Sequence, residues 1–357
     1  MQPISDFPLT FPLWLFASGF KYPTRVFEVA MGVDNAKRVT EMVVLAAYIS
    51  TFGLAAVSGL AIDLAGIAPI LACAAAFLLI AALCTRFDMP RVREGTTCVA
   101  YGFLLTTPIA LATYLAIRLD LPLQDHSLAA LDAALGFDWH YMIGVVDGHP
   151  ALAIILNAAY GTFALQLLLW PLLLAIAGHT KRAHVMVASF AVICFLSSLI
   201  SVWTPAVGTY SYYGFDGSLL KNLNPLYGYD FLDQFNAVRE DANFVWSVEA
   251  SKGILTFPSV HAAVAFLCAW AAWSLAPVRY PVIALNVAMA CSAVTNANHY
   301  AVDVVAGCAV AMVSIAFIVW ASRLGRTPAA VKSAPLPQGA TPLDGPQALY
   351  PRSAVEG

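Results

Sequence analysis

Two short stretches carry side chains able to do chemistry: Thr256-Phe-Pro-Ser-Val-His261 and Asn298-His299-Tyr-Ala-Val-Asp303. Each stands at the mouth of a long apolar run, where an ionisable group costs about 2.5–3.5 kcal/mol at membrane depth and so reads as functional. His299 and Asp303 are spaced i, i+4, which on a helix puts them on one face a turn apart. A carboxylate in that place accepts the Nδ1 proton of the imidazole, fixing the tautomer and leaving Nε2 as nucleophile or base. His261, from a neighbouring helix, can supply or remove a proton on the opposite side of a reacting group. Ser259 follows Pro258 as an N-cap candidate, and backbone N–H groups at such a helix start favour a phosphate. The set predicts phosphoryl transfer by way of a phosphohistidine, with His261, His299 and Asp303 catalytic and Ser259 binding the substrate.

The elements that must position these groups are apolar helices. Of the 357 residues, 60% are hydrophobic and 11% charged, against about 25% charged in a soluble domain. The apolar residues fall in runs long enough to cross a bilayer core. The predicted fold is an all-α polytopic membrane protein of about eight transmembrane helices, its catalytic helices in the C-terminal half. The spans fall near residues 42–62, 67–85, 96–117, 151–177, 185–202, 259–276, 282–295 and 300–320, the fourth interrupted near Pro171. Residues 1–41 are expected to be a cytoplasmic or interfacial segment and 42–324 the membrane domain, with a catalytic core near 206–310. Residues 325–357, rich in Pro, Ala, Gly and Ser, are expected to be a disordered cytoplasmic tail.

Two segments outside the spans bear on the site. In 118–150, Leu128, Leu131 and Leu135 form an apolar stripe that predicts a short helix lying on the bilayer, with Asp125 and Asp132 off the stripe. The polar stretch 206–258 holds Tyr210, Tyr212, Tyr213, Tyr227, Tyr229, Phe231, Phe235, Phe244 and Trp246, which suit an interfacial belt or a head-group pocket.

Lysines and arginines concentrate in alternate loops, which predicts cytoplasmic termini and gathers His261, His299 and Asp303 at the outer ends of spans six and eight, under the 206–258 segment. The expected location is a plasma membrane (the inner membrane of a bacterium), with the site facing the periplasm or exterior. The net charge of −3 is uninformative about nucleic acid, but no basic patch exists for it, so no nucleic-acid partner is expected. The seven cysteines lie in apolar runs without CxxC spacing, so neither a metal site nor a cofactor is expected.

Phe257-Pro258-Ser259-Val260-His261 resembles the second signature of the type-2 phosphatidic acid phosphatase superfamily, which typically reads Pro-Ser-Gly-His. His299-Tyr-Ala-Val-Asp303 resembles its third, a His-x-x-x-Asp preceded by Ser-Arg; Ser292 stands at the serine position, but Ala293 replaces the arginine. The first signature, Lys, six residues, then Arg-Pro, is not found: Arg86 and Arg93 have the spacing but lie on the wrong side and lack the proline. The form Phe-Pro-Ser-x-His with His-Tyr-x-x-Asp-x-x-x-Gly307 is similar to the inositol phosphorylceramide synthase (inositolphosphotransferase) branch, and sphingomyelin synthases share a similar His, His, Asp arrangement. The resemblance covers roughly residues 250–310 and extends more weakly to Leu131–Trp139 and the 206–249 loop.

The resemblance implies that His299 takes the phosphoryl group and Asp303 orients it. His261 protonates the leaving alcohol and then activates the acceptor, and Ser259 helps hold the phosphate. It also implies basic residues around the phosphate oxygens, which are missing from their usual positions. Lys252 and Arg239 are the expected replacements, with Asn296 and Asn298 as further hydrogen-bond donors. The expected activity is that of a lipid phosphate phosphatase or phosphotransferase: water resolving the phosphohistidine makes a hydrolase, and inositol or a ceramide-type lipid makes a transferase. Two other classes stay open, a lipid transporter that binds a head group with the same residues and a b-type haem protein with the two histidines as axial ligands.

Overall fold

The computed structural model describes residues 27–324. The expectations for the N-terminal segment before residue 27 and for the tail from 325 onward lie outside the described residues. Helices dominate: α1 (Phe27–Ser58), α2 (Ile67–Arg86) and α3 (Pro90–Ile117); the short α4 (Asp125–Ala134) and α5 (Trp139–Asp147); α6 (Pro150–Gly161), α7 (Phe163–Ile176) and α8 (Thr180–Trp203). After the two single turns α9 (Thr209–Tyr212) and α10 (Leu226–Tyr229) come α11 (Leu232–Glu240), α12 (Val260–Ala272), α13 (Arg279–Asn296) and α14 (Ala301–Leu324). The protein is an all-α polytopic membrane protein. Five helices (α1, α2, α3, α8 and α14) are long and apolar enough to cross a membrane alone, and the α5–α6 pair, bent by 107°, makes a sixth if it is one broken span. This is fewer than the eight expected, because α7 and α12 are only 14 and 13 residues long and α13 buries Asn286, Ser292, Thr295 and Asn296 among its apolar residues.

The expected fourth span breaks at Thr162 between α6 and α7, not at Pro171, which lies inside α7. Thr162 turns its hydroxyl back onto the carbonyl of Ala159 at 2.7 Å, a bond that competes with helix continuation. The break changes the span's neighbours: α6 packs on α13, whereas α7 packs on α3, α8 and α12.

Residues 205–258 form a cover over the end of the bundle where α12 and α14 begin. The cover contains β2 (Val245–Ser247), which pairs in parallel with β1 (Ala61–Asp63) in the α1–α2 turn, Ile62 opposite Trp246. Four of its rings pack inward. Trp246, Phe235, Phe231 and Phe244 are buried with Tyr114 and Leu111 of α3 in a core of their own. Each such ring buries roughly 150–250 Å², worth several kcal/mol at about 25 cal/mol per Å², so the cover is held by packing with little secondary structure. Tyr212 and Tyr227 remain exposed.

Candidate active site

The start of α12 is fixed against α14. Ser259 takes an extended conformation and caps α12, its Oγ accepting the Ala262 N–H at 3.3 Å. Its own N–H donates to the carbonyl of Asp303 on α14 at 3.1 Å. The two backbones meet so closely that a Cβ on Gly307 would stand 2.2 Å from the Ser259 carbonyl oxygen, so only glycine fits there. This crossing brings His261, in the first turn of α12, to the same end of the bundle as His299. The N–H groups of Val260 and His261, at the first turn of α12, find no partner among the described residues; a helix start of this kind suits an anion.

His299 and Asp303 meet as expected, but not on one helix: His299 lies two residues before Ala301, where α14 begins. Both are buried, at 3% and 0% exposure, and His299 Nδ1 lies 3.2 Å from Asp303 Oδ2. With Nδ1 donating, that oxygen also accepts the N–H of Tyr300 at 2.9 Å, while Oδ1 has no partner. His299 Nε2 makes no hydrogen bond to the described residues. His261 is held by rings instead of polar groups: Tyr160 stacks on it at 4.3 Å and Phe163 lies at 4.4 Å. These two rings come from either side of the Thr162 break, so the interruption places one on α6 and one on α7 beside the imidazole. His261 and His299 lie within electrostatic range of each other.

The remaining expected binding residues are engaged elsewhere. Asn298 donates from Nδ2 to Thr256 Oγ1 at 2.8 Å, and its carbonyl accepts the Thr209 N–H at 3.0 Å. Gly208, at φ +83, sits against it where a Cβ would approach the Asn298 carbonyl oxygen to 2.2 Å. Asn296 donates to Asn157 Oδ1 at 3.3 Å and accepts from Thr295 Oγ1 at 2.8 Å. Lys252 pairs with Asp230 at 2.6 Å. Arg239 pairs with Asp120 at 2.6 Å, donates to the Leu121 carbonyl and lies over the Phe235 ring. Lys252 links two parts of the cover and Arg239 ties the cover to the α3–α4 connection, and their contacts among the described residues include none of Ser259, His261, His299 or Asp303. The described residues contain no cluster of three or more His, Cys, Asp or Glu arranged for a metal.

Four residues that the sequence did not single out surround the site: Tyr160, Phe163, Asp125 and Asp132. The two aspartates of α4 are buried at 3% and 2% exposure. Asp132 accepts the N–H groups of Ala301 and Val302, each at 2.8 Å. Burial raises its carboxyl above the ordinary carboxylate range, and those two donors oppose the rise. Asp125 accepts the N–H groups of Val207 and Gly208 at 3.0 and 2.7 Å and the Tyr300 hydroxyl at 2.9 Å. Their signal was available, since residues seven apart on a helix share a face.

Comparisons with curated proteins and with solved structures gave no match. A family model described as the PAP2 superfamily matches residues 126–317, more than half of the chain, from α4 into α14. That stretch contains both histidines, Asp303, the cover and the α6–α7 break. The chain therefore belongs to the PAP2 superfamily, whose members are phosphatases and phosphotransferases of the lipid phosphatase type.

Proposed function

We propose that this protein transfers the phosphoryl group of a lipid phosphoester through a phosphohistidine on His299. The observation that carries the reading is the buried His299–Asp303 pair with Nε2 left unengaged, beside the two unpartnered N–H groups that open α12. In the first half-reaction His299 Nε2 attacks phosphorus, and the bond to the ester oxygen breaks. His261 gives its proton to the departing alcohol. Asp303 holds the Nδ1 proton and offsets the positive charge that develops on the imidazole. The Val260 and His261 N–H groups and the Ser259 hydroxyl hold the phosphoryl oxygens. In the second half-reaction His261 takes a proton from water or an alcohol, whose oxygen attacks phosphorus and releases His299. The charge bias of the loops supports placing this end of the bundle outside, with both termini in the cytoplasm.

A second reading, head-group transfer of the inositol phosphorylceramide synthase type, is favoured by the pairing of Lys252 with Asp230 and of Arg239 with Asp120. A site whose nearby charges are carboxylates accommodates the single charge of a phosphodiester better than the two of a phosphomonoester. The test is turnover of defined lipid phosphomonoesters and phosphodiesters by the purified protein, with and without inositol and ceramide as acceptors. Turnover with formation of an acid-labile phosphoenzyme is expected. His299→Ala should lower the rate by about a thousand- to ten-thousand-fold, and full activity in that variant would overturn the assignment.

A further inference from the structure

We propose that Asp132 is a positioning residue for the His299 nucleophile, and that α4 is a brace whose two carboxylates set the reactive end of α14. The inference rests on the phosphohistidine reading. His299 and Tyr300 precede the first helical residue of α14, Ala301. Asp303 holds Tyr300 through its carboxylate and its own N–H, and a second hold on this end of α14 comes from another element. The Asp132 carboxylate accepts from Ala301 and Val302, one oxygen to each N–H. One helical repeat earlier, Asp125 accepts the Tyr300 hydroxyl and two N–H groups of the cover. All four oxygens of the two carboxylates are therefore used, and each holds either the start of α14 or the backbone packed on Asn298.

Two consequences bear on the chemistry. The first two N–H groups of α14 are occupied, so an incoming phosphate finds unpartnered N–H groups at the start of α12 and not at that of α14. The phosphate is thereby directed to His261's side of the site, with His299 Nε2 facing it. Asp132 also accepts from Val302, the residue before Asp303, so its carboxylate adds to the negative field that supports a positively charged phosphoimidazole. A group held to the reacting centre by two bonds at 2.8 Å controls placement at the sub-ångström scale, where about an ångström of error costs on the order of a hundredfold in rate.

The experiment uses the full chain in detergent or reconstituted vesicles, with kcat, KM, the rate of phosphoenzyme formation and the thermal midpoint measured for Asp132→Asn, Asp132→Glu and His299→Ala. Asp147→Asn serves as the comparison. Asp147 makes a similar cap, accepting the N–H groups of Lys221, Asn222 and Leu223 in the cover, without touching the start of α14. Asp132→Asn is expected to lower kcat and phosphoenzyme formation about ten- to a hundredfold with KM within about twofold, whereas Asp147→Asn lowers the midpoint alone. Asp132→Glu, which keeps both oxygens one methylene further out, should recover part of kcat. A midpoint loss with kcat unchanged, or a rise in KM alone, overturns the proposal. If Asp132→Asn does not fold, an Asp132→Glu variant with wild-type kcat overturns it equally. Retained turnover in His299→Ala would instead sink the phosphohistidine reading on which it stands.

Discussion

Two histidine–carboxylate pairs lie buried in this bundle, and they differ in how fully their polar atoms are engaged. Near the start of α3, Glu94 meets His184 of α8 at 3.0 Å. Both oxygens of Glu94 are further taken, by the Arg93 guanidinium at 2.8 Å and by Lys37 of α1 at 3.4 Å. The other nitrogen of His184 faces the Cys98 thiol at 3.4 Å. Nothing in that cluster is left to react, and it ties three helices together. At the opposite end, beyond the far end of α3, His299 and Asp303 form the same pair at 3.2 Å, but Asp303 Oδ1 and His299 Nε2 have no protein partner. Buried polar atoms are mostly satisfied, so the contrast between a saturated pair and a half-used one supports the proposed chemistry at the second.

The sharpest way to break this comparison is to remove each carboxylate. Asp303→Asn should lower turnover about a thousandfold or more while leaving the fold intact, because its partnerless oxygen gives the fold nothing. Glu94→Ala should do the reverse. It strands His184 beside two cations, costing about 3 kcal/mol of stability, with turnover per folded molecule unchanged. Equal loss of activity in both variants would erase the distinction. Thermal melts paired with rate measurements on the folded fraction decide it. A smaller effect probes geometry alone. Gly307→Ala forces the Ser259 carbonyl away from its 2.2 Å approach, and the displaced α12 start should lower kcat about a hundredfold. The smallest tests the cations. Lys252→Ala breaks a half-exposed pair with Asp230 worth no more than about 1 kcal/mol. Turnover should therefore stay within about fivefold of wild type; a much larger loss would return Lys252 to the phosphate.

Much of the site was legible because its parts are local. The cap at Ser259 is the property of a single helix start, and His299 and Asp303 meet within five residues, although His299 stands just before α14 and not on its face. What was not legible depends on crossings between distant segments. Asn298 looked like a donor for phosphate but spends its amide on Thr256, across the packing of α14 against the cover. Tyr160 and Phe163 read as ordinary residues of an apolar span, because the break between them comes from Thr162 and not from the conspicuous Pro171. The rings of 206–258 read as a membrane belt, since composition cannot distinguish rings that meet lipid from rings that meet Tyr114 and one another. The two aspartates of α4 were passed over as the polar side of a surface helix, although their burial is what gives that helix a purpose.

The moorings of the cover include Val207 and Gly208 to Asp125, residues 221–223 to Asp147, Arg239 to Asp120, and Val245–Ser247 to the α1–α2 turn. The stretches between moorings are closed loops whose ends do not move when their length changes, and lengthening such a loop costs only about 0.6 kcal/mol per doubling. On the proposed function, insertion or deletion at the exposed positions of those stretches, away from the buried Phe231, Phe235 and Phe244, is expected to change acceptor or head-group preference while the histidines beneath keep their packing.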